Sequence, residues 1–203
     1  MKLPKNLSDL KRMNQILEIY IEQHFTRVYT TFITSYIYLQ SFSIPGSLWL
    51  SILGGALFPF WFTLVTVAMC SAVGATLSYL ISKNLGSVFV LSLIGERANK
   101  WKEQVAKHKK DLLNYMIVLR IAPLPPNWCV NLGSPHFGVP LVTYFIGTFL
   151  GVIPPSFIHV QAGAALDRIS TDDHLVLLTW KNVVCLLAVG IVALIPIFLR
   201  RQL

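Results

Sequence analysis

Apolar stretches long enough to cross a bilayer recur along this chain, and prolines fall within or between them at Pro45, Pro123, Pro125, Pro126, Pro154 and Pro155. That combination is restrictive. About 20 apolar residues in a helix cross roughly 30 Å of hydrocarbon. At that depth every backbone N–H and C=O must be satisfied within the protein. Proline removes a donor and clashes with the preceding turn. A chain with prolines at membrane depth therefore needs broken helices, buried in protein or lining a polar cavity. Composition agrees: of 203 residues 54% are hydrophobic and 13% charged, and mean hydropathy is +0.60. Soluble domains carry about 25% charged residues. The expected fold class is an all-α integral membrane protein.

Residues 1–27 are charged throughout and have no apolar core of a signal peptide. Leu7, Leu10, Met13, Ile16, Leu17 and Tyr20 recur at roughly helical spacing, which predicts an amphipathic arm at the membrane surface or against the membrane domain. The membrane domain is expected over 28–199. Its first span, Val28 to Ser43, is rich in Thr, Ser and Tyr and suits a helix facing protein. "IPGS" ends it, Pro45 and Gly46 marking a turn. Leu48 to Phe60 is apolar but too short to cross and return, with Gly54 and Gly55 at its middle, so a hairpin that dips in and out on one side is expected. Trp61 to Ser82 is long enough for a full crossing, and its small residues fall at helical spacing, allowing close approach of another helix. "GERANKWKEQVAKHKKDLL" predicts an amphipathic helix at a membrane face or a solvated connector. "LRIAPLPPNW", Leu119 to Trp128, puts Arg120 beside three prolines, and Gly133, Pro135, Gly138 and Pro140 follow. This predicts a second hairpin. Leu141 to Ala164 carries a Gly147–Gly151 pair and is expected to be interrupted at Pro154–Pro155. The last span is Asn182 to Leu199, and 200–203 form a basic cytosolic tail.

Net charge is +8, but the charges flank apolar spans, so topology and anionic headgroups explain them better than nucleic acid. The positive-inside rule places the N-terminal arm, Lys83 to Lys110 and Arg200–Arg201 in the cytosol, with Asp167 to Asp173 on the far side. The two hairpins then enter from opposite sides, as in inverted-repeat transporters with a site near the midplane. Cys70, Cys129 and Cys185 lie far apart in apolar segments and read as buried small hydrophobes. No metal, cofactor, catalytic residue or enzymatic activity is expected.

"FSIPGSLWLSILGGALFP", "LRIAPLPPNW" and "YFIGTFLGVIPPSFIHVQAG", in that order, resemble the DedA-like or VTT-domain family, nearest its eukaryotic stasimon-like branch of the endoplasmic reticulum. The resemblance runs from about the start of the chain to near residue 199. It implies two opposed re-entrant hairpins and energy-independent scrambling of phospholipids. It also implies links to autophagosome or lipoprotein formation, with lipid-transfer or autophagy proteins as partners at the cytosolic face. Bacterial relatives suggest proton coupling through membrane-embedded acids near the first hairpin, but Leu39 to Phe60 contains none. They also have a second arginine shortly after the position of Arg120, where this chain has Pro125, Pro126 and Asn127. Stasimon-like relatives have a further apolar helix before the segment matching "MKLPKNLSDLKRMNQ".

Arg120 is the sharpest candidate. It grips a passing lipid phosphate, or it satisfies carbonyls freed by its own hairpin's prolines; the two roles are compatible. Asn127 and Asn131 line a polar groove or cap the helix breaks. Pro45, Gly46, Gly54, Gly55, Pro123, Pro125, Pro126, Pro154 and Pro155 are read as the hairpin breaks, and His159 and Gln161 as satisfied interior polar groups. Three functions follow: a lipid scramblase, an ion-coupled lipid or solute transporter, and a non-catalytic membrane scaffold. Oligomeric state is left open by the sequence.

Overall fold

Two of the expected breaks do end helices. The structure, a computed structural model, describes residues 7–85, 97–121 and 126–171, and every described element is helical. Helix α1 (Leu7–Ser41) has non-helical backbone at His24. It closes with paired turn bonds, Ile44 N–H to the Leu39 carbonyl at 2.8 Å and Ser43 N–H to the Gln40 carbonyl at 3.2 Å, the Schellman pattern. Pro45 follows, and Gly46 at φ 153, a conformation open to glycine, caps α2 (Ser47–Leu57).

Gly54 and Gly55 do not break the chain as expected, because α2 runs helically through both. Their job is close packing. A Cβ at Gly55 would strike the Val160 carbonyl, and one at Gly163 would strike the Ile52 carbonyl. Each glycine weakens a helix by about 1 kcal/mol relative to alanine, but lets two membrane helices touch along their backbones. Helix α2 is about 16 Å long at 1.5 Å per residue, too short to span a bilayer.

Helix α3 (Phe60–Leu85) has the length and apolar character of the expected long crossing. Helix α4 (Arg97–Lys107) is amphipathic, with Lys102, Glu103 and Lys107 exposed. Its apolar face meets protein, since Trp101 and Val105 are buried and the Trp101 ring lies 5.2 Å from Phe137. A 3-10 turn, Lys109–Asp111, leads into α5 (Leu112–Ile121). Then come α6 (Asn127–Gly133), a second 3-10 turn over Ser134–Phe137, and α7 (Leu141–Thr171).

The expected interruption at Pro154–Pro155 is also corrected: α7 is continuous, with both prolines in its interior. They remove the donors that would bond the Leu150 and Gly151 carbonyls. A helix in water would fray there, but α7 packs against α2, α3 and α5, and neighbouring helices make interior proline tolerable in a membrane bundle.

Side-chain pairs set the helix directions. Phe25 meets Phe62, Tyr29 bonds Thr66, Tyr36 meets Ser71 and Ser43 meets Ser78, so α1 and α3 run parallel. Gly147 seats Met116 and Gly151 seats Arg120, so α5 and α7 also run parallel. Tyr144 lies beside Ala75 and Tyr79, and Phe157 against Phe60, so the first half of α7 is antiparallel to α3.

The parallel pair overturns part of the expected topology. Between Phe62 and Lys83, α3 rises roughly 30 Å, a full hydrocarbon thickness. The base of the N-terminal arm, beside Phe62, and Lys83 therefore lie at opposite ends of α3, which does not fit the expectation that both face one side. In place of the hairpin expected within Leu48–Phe60, α2 is one short continuous helix, and α3 runs in the same direction as α1. Pro123, Pro125, Asp172, Asp173, Cys185, the span Asn182–Leu199 and Arg200–Arg201 lie outside the described residues. Single cysteines at the exposed positions Gln23 and Lys107 should therefore react with an impermeant maleimide from opposite sides of sealed vesicles. Labelling of both from one side would contradict the parallel arrangement.

Candidate functional site: a buried arginine clasp

Arg120 sits in the last turn of α5, where its charge also complements the helix dipole. Two glycines bring α7 against it. A Cβ at Gly147 would lie 2.6 Å from Met116 Cβ, and one at Gly151 would lie 2.6 Å from Arg120 Cβ. The Gly147–Gly151 pair, a weak motif by itself, is thus the seat of α5.

That approach puts polar atoms of α7 and α6 around the guanidinium. Arg120 Nε donates to Thr148 Oγ1 at 3.1 Å, and Nη2 donates to Asn131 Oδ1 at 2.8 Å and to the Tyr144 hydroxyl at 2.7 Å. Nη1 donates to Asn127 Oδ1 at 3.3 Å, the longest of the four. The guanidinium carbon stands 5.2 Å from the centre of the Tyr144 ring, within cation–π range. Tyr144 in turn donates to Asn131 Oδ1 at 2.7 Å, with the Ala75 carbonyl 3.3 Å away. Asn131 Nδ2 donates to Ser43 Oγ, which pairs with Ser78 Oγ.

Arg120 is 4% exposed, and Asn131, Tyr144 and Thr148 are fully buried. Burying a charge costs several kcal/mol even after relaxation. Charge-assisted hydrogen bonds of about 1.5–3 kcal/mol each offset it. Among the described residues, all of the partners of Arg120 are neutral oxygens, so the positive charge is solvated but not cancelled. Asn127, by contrast, is exposed. The clasp is closed on three sides by buried groups and on the fourth by one exposed amide on a long bond. An anion displacing that amide would meet Nη1.

The structure brings together Arg120, Asn127 and Asn131 as one constellation. Pro126 caps α6, making Asn127 its first residue. Pro45 and Gly46 stand at the first break, outside the clasp, although Ser43 of that break reaches it. Gly54, Gly55, Pro154 and Pro155 are interior to helices, and His159 and Gln161 lie on α7 beyond the proline pair. Tyr144, Thr148 and Ser43 are hydrogen-bonding members of the clasp that sequence reasoning missed. Tyr144 and Thr148 carry a signal, a polar pair four residues apart sharing a face with the Gly147–Gly151 pair. Ser43 carries none. The first three helices hold a separate buried cluster made of hydroxyls, Tyr36 with Ser51 and Ser71.

Comparison with known proteins adds an independent finding. The VTT domain family matches residues 44–165, from the first break into α7. The chain is similar to the Transmembrane protein 41 homolog of Caenorhabditis elegans, 46% identical over 203 residues, covering all of this chain and 82% of that protein. It is 41% identical to Transmembrane protein 41B of Danio rerio over 202 residues, covering 71% of it. With the Mus musculus protein of that name it shares 40% identity over 203 residues, covering 69%. No solved structure matches.

Tyr144→Phe tests the clasp as a unit. It keeps the ring but removes the hydroxyl that accepts from Arg120 and donates to Asn131. The variant should lose about 1–3 kcal/mol of stability, read as a lowered thermal midpoint in detergent. An unchanged midpoint would show that the hydroxyl bridge carries no weight.

Proposed function

The chain belongs to the VTT-domain family, and from that premise we propose that it is an energy-independent phospholipid scramblase, an integral membrane protein rather than an enzyme. We assign it to the endoplasmic reticulum membrane, supplying lipid for autophagosome or lipoprotein formation, a reading that its resemblance to the stasimon-like branch supports. The cytosolic side is the end bearing Lys83 and the exposed lysines of α4, by the positive-inside rule.

The two helix groups, α1–α3 and α5–α7, form an inverted repeat around opposed short helices. Three observations support this. Each group has parallel outer helices joined through a short one, and α3 runs against the first half of α7. Pro45 and Pro59 have the same spacing as Pro126 and Pro140. Pro59 and Pro140 both precede the first residue of a long helix, and their carbonyls accept from Thr63 N–H and Tyr144 N–H. In this register Arg120 corresponds to Leu39, so the charge belongs to one half alone.

The observation that carries the function is a buried cation with neutral partners, closed to the outside by exposed Asn127. A phosphodiester headgroup is anionic, and crossing hydrocarbon bare would cost of order several kcal/mol. The guanidinium offers it N–H donors in a planar fork. Asn127 yields its place as the phosphate arrives, and Asn131, Tyr144 and Thr148 keep the fork in position. With no nucleotide-binding loop in the sequence and no acid in Leu39 to Phe60, movement is downhill in both directions.

In liposomes containing the purified protein, dithionite should reach labelled phospholipid of both leaflets without ATP or a pH gradient. Arg120→Ala should slow exchange at least about tenfold, the equivalent of one charge-assisted bond. Arg120→Lys should retain part of the rate, keeping the charge but losing the fork. Exchange that required an imposed proton gradient would replace this reading with coupled transport, and a well-folded Arg120→Ala with normal exchange would remove the arginine from the route.

A further inference from the structure

Ser43 stands where a helix end normally has glycine. It takes the left-handed position that closes α1, at φ 53, a conformation that glycine adopts readily and a residue with a Cβ does not. Strain of this kind persists where the surrounding structure fixes the residue in place. Here its hydroxyl accepts from Asn131 Nδ2 at 3.2 Å and pairs with Ser78 Oγ at 3.3 Å.

Asn131 is buried, and its Oδ1 is taken by two donors, Arg120 Nη2 and the Tyr144 hydroxyl. An amide has two distinct ends. With the oxygen turned to the arginine, the Nδ2 donors must find an acceptor on the other side, and Ser43 supplies it. With the amide turned over, Nδ2 would face Arg120 Nη2, donor against donor. Ser43 belongs to the first helix group and Asn131 to the second, so this bond ties the clasp to the seam between them. The seam bonds, at 3.2 and 3.3 Å, are longer than the 2.7 and 2.8 Å bonds that Nη2 makes within the clasp.

We propose that Ser43 is a positioning residue, whose hydroxyl sets the Asn131 amide across the seam and through it orients the Arg120 guanidinium. The proposal rests on reading Arg120 as the headgroup contact. It explains why a serine occupies a glycine position: the side chain is needed by the other half of the molecule.

The test is a coupled set of variants in the liposome exchange measurement, Ser43→Ala, Ser43→Gly, Asn131→Ala and the double variant Ser43→Ala/Asn131→Ala, with Arg120→Ala in parallel. Both Ser43 variants should slow exchange by about three- to tenfold, the range of one net hydrogen bond. The double variant should be no slower than Asn131→Ala, because Ser43 acts through Asn131. A general packing role would make the two losses multiply, and that result, or exchange at the unmodified rate in Ser43→Ala, would overturn the proposal. If Ser43→Ala does not fold, Ser43→Gly carries the test. It relieves the backbone strain while deleting the hydroxyl, so slow exchange in a well-folded Ser43→Gly supports the role and normal exchange refutes it. Normal exchange in Arg120→Ala would instead remove the reading beneath the proposal, and the proposal with it.

Discussion

A positive charge held among neutral oxygens sets the terms for the second half of this molecule. Arg120 is tolerable at its depth because four acceptors converge on it. Those acceptors come from two further helices, and each must be steered there. Gly147 and Gly151 remove the side chains that would hold α7 away from α5, and so bring Thr148 and Tyr144 within reach. Asn127 and Asn131, four residues apart on one face of α6, both look at the guanidinium. Two small residues, a helix break and four polar side chains thus serve one buried cation.

The first half is built by a related plan with different chemistry. Its Gly55 seats α2 against α7, where Gly163 answers it, while its buried polar groups include a cluster of hydroxyls, Tyr36 with Ser51 and Ser71. In the proposed inverted repeat, Leu39 takes the place that Arg120 has in the second half. In the proposed mechanism this asymmetry matters, because a neutral half paired with a cationic half offers the headgroup a single charged contact. A single uncoupled contact suits equilibration better than pumping.

Much of this was legible in the sequence, and the misses have a common physical source. The turn at Pro45–Gly46, the long crossing in α3 and the grouping of Arg120 with Asn127 and Asn131 follow from residue types whose effects are local: proline before a turn, an unbroken apolar run, charge and amides around a break. Gly54–Gly55 and Pro154–Pro155 were misread because the rules that make them breakers hold for a helix in water. Inside a bundle, neighbours replace what proline removes and use the space that glycine leaves. The unexpected parallel course of α1 and α3 comes from α2. An 11-residue helix is too short to count as a crossing, yet it reverses the chain and so changes which ends of α1 and α3 lie together. Tyr144 and Thr148 were passed over because two polar residues on an apolar helix look ordinary until a partner from a distant segment is placed against them. Ser43 was invisible in principle, since its role depends on a backbone angle and on Asn131, far away in the chain.

Photo-crosslinking tests the central claim, that lipid headgroups pass the Arg120 clasp. A photoreactive amino acid is placed at Asn127, and for comparison at the exposed, outward positions Trp61 and Val142, in protein reconstituted with phospholipid labelled on its headgroup. Headgroup-labelled adducts are expected at position 127 and should be lost when Arg120→Ala is added, while adducts at 61 and 142 should be unaffected by that change. Adducts at the outward positions alone, or adducts at 127 that persist without the arginine, would show that headgroups do not use the clasp.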